Sequence, residues 1–332
     1  MSHQNTPLLE ELPTESLAPL PVEAVTSSHE ENPIILAISS ITSRYRILEK
    51  IGHGASADVY LALDTHFNRH VALKRFNAES LSAAPAESDY LSEVAAVSQL
   101  SHSHVVRAYD LDDDEEGPFI IFELIDGIDL EQKLKQGPMS ADDVRHFITQ
   151  ALEALIFIHQ KGITHLDLKP ANFMVTDTAC GIPHYTLIDF GRACDAELER
   201  KRRETKGKKS LRGSIHYMAP EQFTNGILDA RTDLYAIGVM AYELLTGSYP
   251  FDGDNTVQVM AAHLTGRVQA IDQVLPGLPP GIAPWIMSLI AKDPEVRPAS
   301  AEDALRSLLS LSTLRFTPLE ISEPFPALEK TA

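Results

Sequence analysis

The chain has 332 residues, 44% of them apolar, so it can bury a sizeable core in one large or two small domains. Its 28 Lys and Arg against 47 Asp and Glu leave a net charge of −19, which argues against general nucleic-acid binding and against adhesion to anionic membranes. No apolar run approaches the roughly 20 residues that span a bilayer, and residues 1–10 lack the pattern of a secretory signal. Two cysteines suit a reducing compartment. We therefore expect a cytoplasmic protein without membrane insertion.

Residues 1–43 form an acidic N-terminal segment. It contains six Glu and five Pro but no Asp, Lys or Arg. This composition supplies little apolar surface and predicts a largely disordered segment. The apolar run 33–38 within it is expected to dock on the following domain, with binding to a partner as the alternative.

Three short strands are predicted next, over residues 45–51, 58–63 and 71–76. The turn after the first strand contains Gly52 and Gly54, which let the backbone approach a ligand because they have no Cβ. Lys74 lies near the end of the third strand, where a lysine is ordinarily solvated.

Two helices are predicted from apolar residues that recur with a helical period, over residues 88–100 and 141–160. Between them, the acidic stretch 110–118 predicts a solvent-exposed turn that joins two strands. The second of those strands is the apolar run 119–122, which we expect to be buried.

The most informative stretch runs from Thr164 to Phe173. Asp167 and Asn172 are five residues apart with Lys169 between them, and Asp189 follows Asn172 by seventeen residues. Transfer of a phosphoryl group to a hydroxyl needs a carboxylate that accepts the proton, cations near the transferred charge and oxygen ligands for magnesium. The residue types present meet each of these needs. Ordinary polar loop residues are the alternative, which the triplet Asp189-Phe190-Gly191 makes much weaker.

These motifs, in this order, resemble those of the protein kinase family over residues 45–310, and they are most similar to bacterial members of the eukaryotic type. The resemblance implies an α+β fold of two lobes within residues 44–311. The small, mainly antiparallel β N-lobe would comprise residues 44–124, and the larger, mainly helical C-lobe residues 125–311. Residues 312–332 would be a C-terminal tail.

The resemblance also implies a catalytic role for each motif residue. Asp167 would accept the proton of the substrate hydroxyl, and Lys169 would lie near the γ-phosphate of ATP. Lys74 would bind the α- and β-phosphates and pair with Glu93, for which Glu87 is the alternative. The metal ligands, for Mg²⁺ or alternatively Mn²⁺, would be Asn172 and Asp189.

Further residues take binding or structural roles by the same resemblance. The nucleotide would also contact Ile51, Gly52, His53, Gly54, Val59, Ala72, Glu123, Ile125 and Met174, and Phe122 would lie behind the adenine. The structural residues would be His165, Glu221, Asp233 and Arg297, with Glu221 and Arg297 forming an ion pair. Plain core packing is the alternative for the apolar residues of the first set.

Three positions depart from the family pattern. The third glycine of the glycine-rich loop is Ala57, and the arginine that usually precedes the catalytic aspartate is Leu166, so a phosphate cannot be bound at that position. Ala171 replaces an acid that members preferring basic substrates carry, although Asp129 keeps one acidic contact available.

The run from Gly213 to Glu221 should close the activation segment, and within it the hydroxyl of Ser214 would contact the catalytic residues. The other candidate hydroxyls of the segment are Thr205 and Ser210, which lie in a stretch, residues 200–212, that carries eight Lys and Arg. The stretch is either a solvated loop or a surface for acidic partners, among them the N-terminal segment.

The sequence thus predicts a serine/threonine protein kinase that uses ATP, phosphorylates protein hydroxyls including its own, and works with a cognate phosphatase or regulatory partner. Lys169 is typical of the serine/threonine type. A pseudokinase scaffold and a small-molecule phosphotransferase of the same fold are the alternatives. The presence of Lys74, Asp167, Asn172 and Asp189 disfavours the first, and the run Tyr217–Glu221 disfavours the second.

Overall fold

The computed structural model describes residues 44–54, 57–77, 93–94, 96–195, 214–224 and 226–313. Several predictions concern residues outside these ranges: the N-terminal segment, Glu87, the basic stretch with Thr205 and Ser210, and the C-terminal tail. No helix in the described ranges combines the length and the apolar character needed to cross a bilayer.

A five-stranded antiparallel sheet forms the N-terminal part of the described chain, with strand order β1-β2-β3-β5-β4. The strands are β1 (Tyr45–His53), β2 (Ala57–Asp64), β3 (Arg69–Phe76), β4 (Ala108–Asp114) and β5 (Gly117–Glu123). The three predicted N-terminal strands and the buried strand are therefore present, each longer than predicted by two or three residues.

Side chains of this sheet alternate between two apolar clusters. Leu73 and Ile121 belong to a small cluster on one face, with Tyr45 and Phe119. Because successive side chains of a strand point to opposite faces, Lys74 lies on the other face. That face also carries Phe122, which packs into the main core. The alternation thus brings Lys74 to the side of the sheet that meets the rest of the chain.

The acidic stretch differs from the prediction. Residues 110–114 belong to strand β4, and the turn itself is only Glu115–Glu116, because Asp114 already pairs with Gly117. Asp114 receives two hydrogen bonds from the Arg75 guanidinium, of 2.5 and 2.7 Å, and Asp110 accepts one of 2.6 Å from Arg44. The predicted turn between two strands is present but shorter than predicted, and Asp110 and Asp114 have arginine partners elsewhere in the chain, which the local sequence does not reveal.

Helices dominate the remainder of the chain. They are α1 (Leu130–Leu134), α2 (Ala141–Gln160), α3 (Pro220–Thr224), α4 (Ala230–Thr246), α5 (Thr256–Thr265), α6 (Ile271–Val274), α7 (Ile282–Leu289) and α8 (Ala301–Thr313). Short strands accompany them: β6 (Ile128–Asp129), β7 (Ile163–Thr164), β8 (Phe173–Asp177), β9 (Pro183–Leu187) and β10 (Cys194–Asp195). Strands β6, β8 and β9 form one antiparallel sheet, and β7 pairs with β10. The two-lobed α+β architecture predicted from the resemblance is confirmed.

Helix α2 has the bounds predicted from its apolar period. Ser140 caps its N-terminus by accepting a hydrogen bond from the backbone N–H of Asp143 at 3.1 Å. The face that bears Phe147, Leu152 and Leu155 is buried in the main core. This helix therefore anchors the loop that begins after β7.

Helix α4 crosses the middle of the C-terminal part and is buried over most of its length. A capping box of Asp229 and Thr232 starts it. Gly238 allows it to pack closely on α7, since a Cβ added at this position would lie only 2.6 Å from the Cβ of Leu289. The result is a rigid support for Asp233, which lies in the first turn of α4.

Candidate active site

Lys74 lies between two carboxylates from distant parts of the chain. Its Nζ donates a hydrogen bond of 2.5 Å to Glu93 Oε1 and one of 2.9 Å to Asp189 Oδ1. Glu93 is buried at 1% exposure, whereas the Asp189 side chain is 36% exposed. Among the glutamates that the structure describes, Glu93 is therefore the one that pairs with Lys74. The exposed side of the Asp189 carboxylate is open to a ligand.

The charges of this trio stabilise one another. Burial alone would lower the pKa of Lys74, but the charges of Asp189 and Glu93 outweigh it and raise that pKa above the ordinary lysine value. Burial alone would raise the pKa of Asp189, but the charge and hydrogen bond of Lys74 and the Gly191 N–H hold it well below the usual range. The lysine and Asp189 therefore remain ionised at neutral pH.

Gly191 allows the trio to come together. A Cβ at this position would lie 3.3 Å from Glu93 Oε2 and 3.4 Å from Asp189 Oδ1, tighter than an ordinary van der Waals contact. Any larger side chain would push into the ion pairs. The close approach of the Glu93 and Asp189 carboxylates to this position explains why the third residue of the Asp-Phe-Gly triplet is a glycine.

Asp233 positions the backbone of the loop that carries the proposed base. Its two carboxylate oxygens accept the N–H groups of His165 at 2.8 Å and of Leu166 at 2.9 Å, and His159 Nε2 lies 2.9 Å from Oδ2. Leu166 has φ of +65°, a left-handed conformation that costs a non-glycine residue about 1 kcal/mol or more. The hydrogen bonds that Asp233 accepts from this backbone offset that strain and fix the turn that precedes Asp167.

His165 is neutral at the bottom of this loop. Burial lowers the pKa of its imidazole, and Nδ1 lies 3.3 Å from the backbone N–H of Asp167, from which it accepts. Its ring packs against that of Phe190, with centroids 5.2 Å apart. The contact joins the loop of Asp167 to the triplet that carries Asp189.

Each oxygen of the Asp167 carboxylate faces a cation. Lys169 Nζ is 3.2 Å from Oδ2, and Arg192 Nη1 is 3.5 Å from Oδ1. The side chain of Asn172 donates through Nδ2 to the backbone oxygen of Asp167 at 2.8 Å. The sequence offered Arg192 only as a cation that could take the role of the missing arginine, and its contact with Asp167 was not predicted.

The two proposed metal ligands have the oxygen atoms that such a role needs. The amide Nδ2 of Asn172 is engaged, which leaves its Oδ1 as the ligand atom, and the described hydrogen bonds of Asp189 fall on Oδ1. The described residues contain no cluster of three His, Cys, Asp or Glu side chains suited to a metal. This donor set fits Mg²⁺ or Mn²⁺, hard cations that complete their coordination with phosphate and water.

The residues proposed for the nucleotide lie on the sheet and the segment that follows it. Val59 is the cross-strand partner of Lys74, and Ala72 shares its face two residues earlier. Gly52 pairs with Val59, and a Cβ on Gly52 would approach that of Val59 to 3.3 Å. Ile51 is half exposed at the edge of the sheet. These positions leave one face of the sheet available to an adenine ring.

His53, Gly54 and Glu123 each have a polar group that is engaged within the chain. His53 Nδ1 lies 2.6 Å from Asp58 Oδ1, and Glu123 Oε1 accepts the backbone N–H of Arg107 at 2.8 Å. The backbone N–H groups of Gly54 and Glu123 also donate within the chain, to the oxygen of Ala57 at 2.9 Å and to that of Arg107 at 3.0 Å. Ile125 packs against the main core, and Met174 is half-buried on β8.

A buried ion pair joins the end of the activation segment to the C-terminal part. The Arg297 guanidinium donates to both oxygens of Glu221, at 2.7 and 2.9 Å. Ser214 lines the same small cavity as Asp167 and Tyr217. Gln222, which sequence reasoning missed, donates from Nε2 to the backbone oxygen of Leu166 at 3.0 Å. This bond links the segment to the loop of Asp167.

Asp129, the acidic contact that the sequence left available, also caps a helix. Its Oδ1 accepts the backbone N–H of Gln132 at the start of α1 at 2.7 Å, and its Oδ2 accepts the Gln132 side-chain amide at 2.7 Å. The carboxylate keeps its charge and further acceptor sites, so the predicted contact with a substrate stays a prediction.

Comparison with known proteins identifies the family. The family model for the protein kinase domain matches residues 45–309. The chain belongs to the protein kinase family. The kinase domain is 34% identical over 275 residues to the probable serine/threonine-protein kinase PknB of Lactococcus lactis, covering 82% of this chain and 42% of that protein.

Two further relatives are also bacterial. The chain is 31% identical over 264 residues to the serine/threonine-protein kinase PrkC of Bacillus subtilis, covering 79% of this chain and 40% of the relative. It is 32% identical over 264 residues to the serine/threonine-protein kinase PknL of Mycobacterium tuberculosis, covering 79% and 64%. The chain therefore spans less than two thirds of these relatives. The predicted resemblance to bacterial serine/threonine kinases is confirmed, and the comparisons give no support to a pseudokinase.

Proposed function

We propose that this chain is an active serine/threonine protein kinase, which transfers the γ-phosphate of ATP to hydroxyls of proteins, including its own. The observation that supports this most strongly is the convergence on one cleft of Lys74 with its two carboxylate partners and of Asp167 with Lys169. These five side chains come from four separate parts of the chain and would have little reason to share this arrangement unless it served one reaction.

In the proposed mechanism Asp167 orients the substrate hydroxyl and accepts its proton as the oxygen–phosphorus bond forms. Lys169, 3.2 Å from Asp167 Oδ2, neutralises charge on the transferred phosphoryl group. Lys74 binds the α- and β-phosphates, and Glu93 holds the lysine in position. A divalent cation held by Asn172 and Asp189 would supply charge neutralisation to the phosphates.

The proposal extends to the organisation of the chain. The kinase domain would comprise residues 44–311, with an N-lobe over 44–124 and a C-lobe over 125–311. Mg²⁺ is the proposed cation, with Mn²⁺ as the alternative, and the net charge of −19 supports a cytoplasmic protein acting on other proteins. A phosphatase that reverses the reaction is part of this proposal.

The test is transfer of label from γ-labelled ATP to the full chain and to one acidic and one basic general acceptor protein. We expect labelling in the presence of Mg²⁺, none with chelator, and none with Asp167→Asn. The matched control is Asp142→Asn, because Asp142 is an 82% exposed carboxylate on α2. Nucleotide binding without any transfer by the wild-type chain would contradict the proposal and favour a pseudokinase.

A further inference from the structure

Leu166 has a strained backbone conformation directly before the proposed base. Its φ of +65° lies in the left-handed region, and such strain persists only where the surrounding structure fixes it. The residue is buried, so its backbone polar groups need partners within the chain. Asp233 accepts its N–H at 2.9 Å. The partner of its carbonyl oxygen decides how the chain continues toward Asp167.

The peptide unit that joins Leu166 to Asp167 is held at both ends by side chains. The N–H of Asp167 donates to His165 Nδ1 at 3.3 Å, and the carbonyl oxygen of Leu166 accepts a hydrogen bond of 3.0 Å from Gln222 Nε2. His165 belongs to the same loop, whereas Gln222 lies on α3, where the activation segment ends. The bond from Gln222 therefore lets the segment fix the orientation of the peptide before Asp167.

The side-chain amide of Gln222 is itself fixed in one orientation. Its Oε1 accepts the backbone N–H of Ala219 at 2.9 Å, the bond by which a glutamine three residues into a helix commonly caps the first turn. Rotation of the amide by 180° would place Oε1 against the oxygen of Leu166 and Nε2 against the N–H of Ala219. The amide therefore presents a donor to Leu166 without further loss of side-chain freedom.

The chain on either side of Gln222 is anchored to the rest of the C-terminal part. The preceding residue, Glu221, accepts two hydrogen bonds from the buried Arg297 guanidinium. Tyr217 donates its hydroxyl to the buried Glu243 at 2.7 Å. Both attachments use the chain's own side chains, so internal ion pairs and hydrogen bonds place the end of the segment against the loop of the proposed base.

We propose that Gln222 is a positioning residue, which couples the activation segment to the proposed base by holding the strained peptide between Leu166 and Asp167. Leu166 occupies the position at which the arginine of the family pattern would bind a phosphate. The bond from Gln222 supplies the coupling through an uncharged amide, so it acts whether or not the segment is phosphorylated. The inference rests on the proposed kinase activity and adds how the same site is regulated.

The test compares the full wild-type chain with Gln222→Leu in steady-state transfer from γ-labelled ATP to an acceptor protein. The variant leaves the buried oxygen of Leu166 without this donor, and we expect kcat to fall by about tenfold to a hundredfold. The KM for ATP should stay unchanged, because the groups proposed to bind the nucleotide belong to other elements. The loss of kcat should be the same in protein phosphorylated by incubation with ATP and in phosphatase-treated protein.

Gln222→Glu gives a readout that a purely structural role would not change. At neutral pH its carboxylate would face the oxygen of Leu166 as a second acceptor, whereas the protonated carboxyl group can donate to that oxygen. A hydrogen bond made only by the neutral form raises the pKa of a carboxyl group. The kcat of this variant relative to that of the wild type should therefore rise as the pH falls from about 7.5 to about 5.5.

Gln258→Leu is the matched control. The Oε1 of Gln258 also accepts a backbone N–H at the start of a helix, that of Asp254 before α5 at 2.8 Å, but its side chain is exposed and this bond lies within its own segment. The control variant should keep the wild-type kcat.

Three outcomes would overturn the inference and leave the kinase assignment standing: an unchanged kcat in Gln222→Leu, an equal loss in Gln258→Leu, or a loss that disappears once the chain is phosphorylated. If Gln222→Leu does not fold, the pH dependence of Gln222→Glu decides, and a ratio to the wild type that stays constant with pH would overturn the inference. Absence of all transfer by the wild type would refute the proposed function and the inference with it.

Discussion

Two ion-pair sites in this kinase domain use the same chemistry for different ends. Arg297 has 0% side-chain exposure, and its guanidinium donates to both oxygens of Glu221 and also to backbone oxygens of Ala291, Arg231 and Lys292. Lys74 has two carboxylate partners, one of them partly exposed. The first site is closed and complete, whereas the second retains capacity for a ligand.

The difference teaches how a structural pair can be distinguished from a functional one. A buried ion pair is tolerated when every donor and acceptor is matched, and removing one partner leaves an uncompensated charge. At the Lys74 site, negative charge exceeds positive charge by one, since one ammonium faces two carboxylates. Such a site suits a bound cation and phosphates, and mutations there should impair transfer before they impair folding.

The largest effect should come from the open site. We expect Asp167→Asn and Lys74→Met each to reduce kcat/KM by about a thousandfold or more, roughly 4 kcal/mol of barrier. Steady-state transfer to an acceptor protein measures this, with Asp142→Asn and the exposed Lys135→Met as matched controls. Retention of more than about a tenth of the wild-type rate, roughly 1.4 kcal/mol of barrier, would refute the assignment.

A mutation in the closed site, the Arg297–Glu221 pair, should lower the stability of the fold. Arg297→Met leaves Glu221 buried without a partner and should reduce the free energy of unfolding by about 3 to 5 kcal/mol. Urea denaturation followed by circular dichroism measures this. Arg306→Met, which removes an exposed arginine, should cost less than about 1 kcal/mol. Equal losses for the two variants would mean that the Arg297 pair is not a structural support.

Between pH 6.5 and pH 4, part of the loss of stability in acid should come from the buried histidine His263. Burial lowers the pKa of His263 to about 4, and its Nδ1 lies 2.7 Å from the hydroxyl of Tyr235. Below the ordinary histidine pKa of about 6.5, the unfolded chain binds a proton that the folded one does not, so stability falls as pH falls from 6.5 toward 4. Between pH 7.5 and pH 5.5, the titration of His263 should lower the free energy of unfolding by about 1.4 kcal/mol.

His263→Gln should remove that part of the pH dependence. The measurement is urea unfolding of wild type and variant at both pH values, since other groups titrate equally in the two proteins. A wild-type difference between the pH values that the variant reproduces in full would show that His263 is not the group responsible.

The smallest effect is expected in the activation segment. Leu166 cannot bind a phosphate, so Thr205→Ala with Ser210→Ala should keep at least a third of the rate of the phosphorylated wild type, a cost of roughly 0.7 kcal/mol or less. The double variant and the wild type are both assayed after phosphatase treatment, and their rates are expressed relative to the rate of the phosphorylated wild type. A loss of a hundredfold or more would show that another cation takes the role of the missing arginine, and the first candidates are Arg192 and the Lys and Arg of residues 200–212.

The sequence alone determined the family, the order of the elements and most of the proposed site. The bounds of α2 follow from its apolar period and its serine cap, and the alternation in β3 puts Lys74 on the opposite face from Leu73. These features are local, because a helical or strand period is set by neighbouring residues alone. The spacing of Asp167, Lys169 and Asn172 is local in the same sense.

Only the tertiary structure decided which charges meet. Asp114 forms an ion pair with Arg75 across the sheet, and Asp129 caps helix α1. Arg192 lies against Asp167, although 25 residues separate them in the sequence. Each carboxylate could have remained solvated, as its sequence neighbours suggested. Which partner it takes depends on distances between elements that pack together, and an ion pair is stabilising only where that packing brings both charges within a few ångströms.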